Sequence, residues 1–284
     1  MQFNLIGPGR VGLALSHALI DTGQYTLLGV YHPQHASAEK AVQTLGQGAP
    51  FNTLQTLPKA DITFITTKDT DIESIACELA SIKNLKPGSL VAHMSGILSS
   101  DVLTPLKEKN AYIGSLHPLK AFCQKDTPEK NAFKNIDCAV EGDKTAVTQL
   151  TKLGHTLGAT VFTLNPEKKT SYHAAAIMAS NYLVTLTAVA TTLFETAGIP
   201  ETDAHRLCTR LMQTSLDNLK QSDTAKDALT GPLMRGDIKT IQKHLNTIDS
   251  QTTKALYQTA GLATLPLVDL EKQMLTTLKV LLTS

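Results

Sequence analysis

The residues best suited to bind a ligand stand near the start of the chain, in a glycine-rich turn between a short apolar strand and a helix. In such a turn the first glycine permits the tight bend, the second lets a pyrophosphate approach the backbone, and the third lets the helix pack closely on the strand. The helix N-terminus adds free N–H groups and the positive end of a dipole. The turn predicts dinucleotide binding, with a plain tight turn or another nucleotide-like ligand as the alternative. It consists of Gly7, Pro8, Gly9, Arg10, Val11 and Gly12.

The loop after the second predicted strand indicates which dinucleotide fits. An NAD site usually carries Asp or Glu about 20 residues after the glycines, where the carboxylate binds the ribose 2′-hydroxyl. No carboxylate stands between Asp21 and Glu39. The side chains that can donate hydrogen bonds to a 2′-phosphate instead are Tyr31, His32, Gln34 and His35, with the cation of Arg10 in the glycine turn. The sequence therefore favours NADP over NAD as the cofactor.

Loops after the other predicted strands should open onto the same crevice, because ligands bind at the carboxyl ends of parallel strands. The candidates are Thr66, Thr67 and Lys68 for cofactor contact, His93, Ser95 and His117 for catalysis, and Lys120 for substrate binding. A structural role remains the alternative for each histidine. Asp69 is expected to cap the helix that follows it, and Ser99 or Ser100 to cap the next one. Ser95 lies outside a G-x-S-x-G elbow, since His93 stands at the first glycine position, which disfavours a hydrolase nucleophile.

A long uncharged segment in the second half carries two more candidates. On one continuous helix His173 and Asn181 would lie about 12 Å apart along the axis and about 80° apart around it, too far to hold one small atom together. We expect Asn181 to hydrogen-bond the substrate and His173 to supply a proton, with helix packing as the alternative for both. Farther on, Arg235 is expected to bind a substrate carboxylate or phosphate unless it forms a surface salt bridge. Asp237 is expected to cap the next helix.

The spacing of apolar residues divides the chain into two parts. Up to residue 165, short apolar or β-branched runs alternate with helical segments, which is typical of crossover connections and a mostly parallel, doubly wound sheet. After Pro166 only helical segments follow. We therefore predict an α/β Rossmann domain over residues 1–165 and an all-α domain over residues 166–284.

The composition excludes several classes of partner. Lys and Arg number 26 against 25 Asp and Glu, which gives a net charge of +1, and 18% of residues are charged. Nucleic acids and acidic membranes need clustered cations, so neither is an expected partner. The four cysteines (Cys77, Cys123, Cys138 and Cys208) are scattered and predict neither a disulfide framework nor a metal site. The N-terminal residues do not resemble a secretory signal, so we expect a soluble, cytoplasmic protein.

The stretch from Ala174 to Phe194 is uncharged but rich in threonine, which makes it too polar for a lone lipid-facing helix. We expect protein to bury it on most sides. One small helical domain has too little surface for this, so the sequence predicts a homodimer through the C-terminal domain.

Several motifs follow one another in a characteristic order along nearly the whole chain. They are the glycine turn, Lys68-Asp69, His93-Met94-Ser95-Gly96, Leu116-His117-Pro118-Leu119, Tyr172-His173 with Ser180-Asn181-Tyr182, Thr230-Gly231-Pro232 and Arg235-Gly236-Asp237. The set resembles a little-characterised group assigned as NADP oxidoreductases, within the superfamily of 6-phosphogluconate and β-hydroxyacid dehydrogenases. Ketopantoate reductase and pyrroline-5-carboxylate reductase are relatives of that group. The resemblance implies a Rossmann-like domain followed by a helical domain of the 6-phosphogluconate dehydrogenase type, which commonly forms a dimer.

One departure from the superfamily pattern concerns a proton donor. Catalytic β-hydroxyacid dehydrogenases carry Lys-x-x-x-Asn on the helix that begins the second domain. Asn181 fits the asparagine here, but Ile177 stands at the lysine position. The residues available as substitutes are His173, Ser95 and His117.

Two classes of function follow from these observations. The first is a reductase that moves hydride between NADPH and a small carbonyl or imine substrate in a cleft between the domains. The second is a non-catalytic NADP-binding sensor or scaffold, which the missing lysine favours. A methyltransferase with a glycine-rich turn is a distant third.

Overall fold

A computed structural model of the chain describes residues 1–122 and 131–284. The chain divides into two compact units, Met1–Ser180 and Asn181–Ser284. The first unit extends beyond the predicted boundary at residue 165, because a further helix packs its polar residues against the strand ends. Cys123 lies outside the described residues, and Cys77, Cys138 and Cys208 are free thiols.

The first unit is built on one eight-stranded sheet, in the order β3-β2-β1-β4-β5-β6-β7-β8. The strands are β1 (Gln2–Ile6), β2 (Thr26–Tyr31), β3 (Ala49–Phe51), β4 (Ile62–Ile65), β5 (Leu90–His93), β6 (Tyr112–Pro118), β7 (Asp137–Gly142) and β8 (Thr160–Thr163). Every neighbouring pair is parallel except β6 and β7, which are antiparallel. This confirms the predicted doubly wound α/β sheet. The carboxyl ends of β1, β4, β5 and β6 therefore meet at one edge, where ligands bind in such sheets.

Helices cover both faces of this sheet. The α-helices of the first unit are α1 (Arg10–Asp21), α2 (His35–Leu45), α3 (Asp69–Ser81), α4 (Lys144–Thr156) and α5 (Lys169–Ala179). The central strands β4 and β5 are buried along their whole length, as expected for parallel strands that are covered on both faces. Separate apolar cores lie on the two faces, and alternate residues such as Leu5 and Ile6 point into one or the other.

The helix caps show which local predictions were right. Ser99 accepts a hydrogen bond from the amide of Asp101, and Asp237 accepts one from Thr240, so both are confirmed as caps. The segment after Ser99 is a 3₁₀ helix (Ser100–Lys109) that contains a proline. The prediction for Asp69 was wrong: Lys68 holds the capping position of α3, and Asp69 is the first helical residue. There its carboxylate still complements the helix dipole.

The second unit is helical throughout, which confirms the predicted all-α domain. Its α-helices are α6 (Asn181–Thr196), α7 (Glu201–Gln221), α8 (Ile238–Thr247), α9 (Gln251–Thr264) and α10 (Lys272–Thr283). A small core holds four buried side chains: Ile241, Leu245, Leu278 and Leu282.

The uncharged segment differs from the prediction in two ways. The helix breaks at Ser180, whose backbone leaves the helical region (φ −121°, ψ −66°), so His173 ends up on α5 and Asn181 on α6. The spacing calculated for one continuous helix therefore does not apply. The expectation of burial was also wrong for the single chain, because no residue of α6 is buried. The stretch Pro166–Thr196 has the length of a membrane span, and its most apolar 18-residue window has a mean hydropathy of 1.4 with none of its residues buried.

Candidate functional site

The glycine turn at the end of β1 is held by side chains from the end of β4. Gly7 has φ +83°, and a Cβ there would lie 2.5 Å from Thr67 Cγ2. At Gly12 a Cβ would collide with Thr66 Oγ1 and lie 3.0 Å from Leu5 Cδ1 on β1. These two glycines are therefore required by the bend and by the close packing of α1 on the sheet.

Gly9 differs from its two neighbours, because its Cβ position is open. The nearest atom would be Thr66 O at 3.8 Å, an ordinary contact. Gly9 is also the capping residue of α1, no side chain caps the helix, and its first turn contains no acidic residue. The amides of Arg10, Val11 and Gly12 stand in the first turn, where an α-helix offers no internal acceptor. An exposed helix start without a side-chain cap fits a bound phosphate.

The threonines after β4 have unequal roles. The hydroxyl of Thr66 donates a hydrogen bond to the carbonyl of Gly7 at 2.5 Å, so this side chain stabilises the turn. Thr67 Oγ1 is buried and has no partner among the described residues, which leaves it able to bond a ligand. Lys68 is exposed.

The loop after β2 retains part of the predicted 2′-phosphate site. Tyr31 is half-buried against the core, where burial raises the pKa of its phenol. His32 Nδ1 accepts a hydrogen bond from the amide of Gln34 at 3.0 Å, which leaves Nε2 for a ligand. His35 pairs with Glu39 at 3.2 Å, so this histidine is already engaged by a carboxylate. The exposed Arg10 donates to the carbonyl of Phe122 at 3.1 Å.

His93 is placed as a structural residue. It is fully buried, its Nδ1 accepts from the amide of Ser95 at 3.1 Å, and its Nε2 lies 3.1 Å from the carbonyl of Ser99. Burial, and then the positive charge of Lys169, lower the pKa of His93 to about 3. A neutral ring with both nitrogens engaged in the protein has no nitrogen left for a substrate. The structure thus favours a structural role for His93 over the catalytic one.

Two other histidines meet over a glycine in the loop after β5. A Cβ at Gly96 would lie 2.6 Å from His173 Nδ1 and 2.7 Å from His117 Nε2. Both rings can therefore occupy these positions only because residue 96 has no side chain. Ser95 shapes this loop, since its hydroxyl oxygen accepts from the amides of Ile97 (3.2 Å) and Leu98 (3.1 Å).

The ring of His117 is enclosed by residues from α5. Tyr172 Oη lies 2.7 Å from His117 Nδ1, and the rings meet edge to face at 5.5 Å. The ring of His173 meets that of His117 at 6.0 Å, and His173 Nδ1 is buried without a partner among the described residues. Burial, with the charge of Lys169, lowers the pKa of His117 to about 4. We call Ser95, Gly96, His117, Tyr172 and His173 the strand-end cluster.

A buried ion pair that the sequence reading missed lies next to this cluster. Lys169 and Glu141 are each 2% exposed, and their charged atoms are 3.1 Å apart. Lys169 Nζ also donates to Ser115 Oγ at 2.6 Å, and the Glu141 carboxylate accepts from the amide and the hydroxyl of Ser100 at 2.9 and 2.7 Å. Burial lowers the pKa of Lys169, and Glu141 opposes that shift.

Two signals in the sequence pointed to this pair. Glu141 follows directly on the apolar run Cys138-Ala139-Val140, and a charge buried at the end of such a run requires a partner. Lys169, Tyr172 and His173 have the spacing of one helix face. A lysine thus stands four residues before His173, although none stands four residues before Asn181.

The remaining candidates lie outside the cluster. Lys120 donates to the carbonyl of Ala132 at 3.1 Å. Asn181 is the first residue of α6, and Arg235 is exposed in the loop before α8, both in the second unit. The structure therefore brings together Ser95, His117 and His173. Within residues 1–122 and 131–284, no three His, Cys, Asp or Glu residues are arranged to hold a metal ion.

Comparison with known proteins locates two matching families. A Rossmann-like domain matches residues 1–118, and a domain of unknown function (DUF2520) matches residues 136–264. No protein of curated function matches the chain in sequence.

Solved structures share the fold over nearly the whole chain. A protein of Bacteroides fragilis assigned as an NADP oxidoreductase is 21% identical with a TM-score of 0.76, covering 92% of this chain and 96% of its own. A protein of Thermotoga maritima is 22% identical with a TM-score of 0.66, covering 99% and 98%. The NADP-bound pyrroline carboxylate reductase of Plasmodium falciparum is 14% identical with a TM-score of 0.59, also covering 99% and 98%. At these identities the likeness establishes the fold, a Rossmann-like domain followed by a helical one.

Proposed function

We propose that the chain is an NADP-dependent oxidoreductase that transfers hydride between NADPH and a small carbonyl or imine substrate. One observation carries this proposal: the uncapped start of α1 at Gly9 and the histidines of the strand-end cluster lie at the edge of the sheet where the parallel strands β1, β4, β5 and β6 end. The first feature suits the phosphates of a dinucleotide, and the second suits a reacting polar group. The NADP bound to a fold relative supports the choice of cofactor class.

The chain's own residues would hold the cofactor by its phosphates. The amides of Arg10, Val11 and Gly12 and the free hydroxyl of Thr67 would bind the pyrophosphate. When bound, the nicotinamide supplies the hydride, which no side chain provides. The guanidinium of Arg10 and the Nε2 atom of His32 favour a 2′-phosphate, since no carboxylate repels it at the end of β2.

The strand-end cluster would act on the substrate. His173 supplies a proton from its ring, and His117 binds the reacting atom. Ser95 holds the loop against which both rings rest. Lys169 keeps positive charge beside the histidines without touching the substrate, because it is buried and bonded to Glu141 and Ser115.

The proposal also assigns substrate-binding roles to three further residues. Asn181 would hydrogen-bond the substrate through its side-chain amide. Lys120 and Arg235 would bind an anionic group of the substrate.

We also propose that two copies of this chain associate through their helical units in the cytoplasm. Large apolar side chains of α6 and α7 are exposed in the single chain. A soluble protein covers such a surface with protein.

Binding and turnover measurements test the proposed function. Calorimetric titration should show tighter binding of NADPH than of NADH, and none of S-adenosylmethionine. Gly9→Asp should abolish NADPH binding, because its carboxylate would face the pyrophosphate, while Gly46→Asp at the open end of α2 should leave it unchanged. Equal affinity for NADH would contradict the choice of NADP. Binding without turnover on a panel of carbonyls and imines would favour a non-catalytic NADP-binding protein.

A further inference from the structure

The phenol of Tyr172 contacts the Nδ1 atom of His117. Its oxygen lies 2.7 Å from Nδ1, and the two rings are nearly perpendicular at 89°. Among the described residues the phenol has no other hydrogen-bond partner. Its proton therefore has one acceptor within reach, the imidazole.

The protonation states of the two groups decide which of them donates. Burial raises the pKa of Tyr172 and lowers that of His117, so near pH 7 the phenol keeps its proton and the imidazole carries only one. A neutral imidazole has one donor and one acceptor nitrogen. If Nδ1 donated to the phenol oxygen, the phenol proton would be left without an acceptor in a half-buried position, which costs free energy. The favourable arrangement has Tyr172 donating to Nδ1, with the ring proton on Nε2.

The Nε2 atom of His117 faces Gly96, which has no side chain. His117 Nε2 and His173 Nδ1 lie within 2.7 Å of the same point, the Cβ position that Gly96 lacks. The two nitrogens are therefore no farther apart than the sum of their distances to that point. His173 Nδ1 has no partner in the described part of the chain, so it does not occupy the N–H of His117.

We propose that Tyr172 is a positioning residue that holds His117 with its proton on Nε2, and that this N–H donates a hydrogen bond to a carbonyl oxygen of the substrate. The inference rests on the proposed function for the presence of a reacting substrate. A neutral imidazole can polarise a carbonyl in this way without losing its proton. An iminium nitrogen has no lone pair to accept the bond, so the site selects carbonyl compounds over protonated imines.

Nitrogen-15 NMR of the histidine side chains, with neither cofactor nor substrate added, tests the first half of the inference. The His117 signals, identified by their loss in His117→Gln, should show a protonated Nε2 and an unprotonated Nδ1 near pH 7. Tyr172→Phe keeps the ring but removes the donor, so the two tautomers should then exchange. Tyr112→Phe, at the opposite end of β6, should leave the His117 signals unchanged. A proton on Nδ1 in the unaltered protein would overturn the inference, even if the Tyr172 variant did not fold.

Kinetic measurements test the second half and separate it from the proposed function. In Tyr172→Phe we expect kcat on the best carbonyl substrate to fall about tenfold, with NADPH affinity unchanged. Faster reduction of a protonated imine than of any carbonyl would contradict the substrate class. If the unaltered protein shows the expected tautomer but binds no NADPH, the proposed function fails while the role of Tyr172 stands. If NADPH binds and carbonyls are reduced but Tyr172→Phe retains both the tautomer and kcat, the role of Tyr172 is wrong and the function stands.

Discussion

The two units of the chain differ in the charged groups that they bury and in the apolar surface that they expose. The first unit buries a complete ion pair, Lys169 with Glu141, and supplies each charge with hydroxyl partners. The second unit keeps its Lys226–Asp269 pair exposed. It also leaves apolar side chains of α6 and α7 in solvent, with Val184 70% and Leu211 61% exposed.

This difference shows where each unit obtains its stability. The first unit has large apolar cores on both faces of its sheet, and its buried ion pair is enclosed by hydrogen bonds from within the unit. The second has a smaller core, around Ile241, Leu245, Leu278 and Leu282, and exposes apolar side chains of α6 and α7 in the single chain. We therefore expect the first unit to be sensitive to internal changes and the second to changes on its surface.

The largest effect is expected from breaking the buried ion pair. Lys169→Met leaves the carboxylate of Glu141 buried without its cation and should lower the free energy of unfolding by about 3–5 kcal/mol. Lys226→Met breaks the exposed pair of the second unit and should cost no more than about 1 kcal/mol. Denaturant unfolding of both variants gives the comparison, and equal losses would remove the contrast between the units. The double variant Lys169→Met with Glu141→Leu should recover much of the loss.

The next effect concerns the exposed face of the helical unit. Val184→Glu together with Leu211→Glu places two carboxylates where the partner chain is proposed to pack. Light scattering should show the mass of a dimer for the unaltered protein and of a single chain for this variant. Tyr112→Glu, a carboxylate at an exposed position of the first unit, should remain dimeric. A single-chain mass for the unaltered protein at micromolar concentration would contradict the dimer.

A smaller loss is expected at the glycine beneath the two histidines. Gly96→Ala inserts a methyl group against both imidazoles and should cost about 1–3 kcal/mol through overpacking. Gly9→Ala adds the same methyl group with only an ordinary contact at 3.8 Å, so its stability should change little. Thermal unfolding of the two variants measures the difference. Equal melting temperatures would mean that the rings do not rest on Gly96.

The last prediction concerns the dependence of stability on pH. In the unfolded chain a histidine binds a proton near pH 6.5, whereas the folded His93 resists protonation down to about pH 3. The unfolded state therefore binds more protons in this window, and stability falls as the pH drops from 6.5 towards 3. His93→Gln retains one donor and one acceptor, and denaturant unfolding should show a weaker fall for this variant. An identical pH dependence would exclude His93 as the source.

The sequence predicted the sheet and the glycine turn because both depend on local pattern. Continuous apolar runs such as Ile62–Ile65 predict buried parallel strands, and the positions of Gly7 and Gly12 match the contacts that forbid a side chain there. The edge strand β3 was missed, since three residues containing a proline carry no alternation. Proline is tolerated at a sheet edge, where its missing N–H is not needed.

The candidate site was predicted less completely because it depends on contacts between distant residues. Lys169 meets Glu141 and Ser115 only after β6, β7 and α5 are assembled. The break at Ser180 likewise separated His173 from Asn181, which the uninterrupted apolar pattern had joined. The pairing of His117 with Tyr172 spans 55 residues and leaves no local signature.

The proposed transfer of hydride between NADPH and a carbonyl at the edge of the sheet can be followed with an isotope. The most direct test is to incubate the unaltered protein and Gly9→Asp with NADPH deuterated at the transferable position and a panel of carbonyl compounds. Mass spectrometry should find deuterium on the reduced carbon of at least one alcohol product, and none with Gly9→Asp. Saturable NADPH binding with no deuterium in any product would contradict the proposed function.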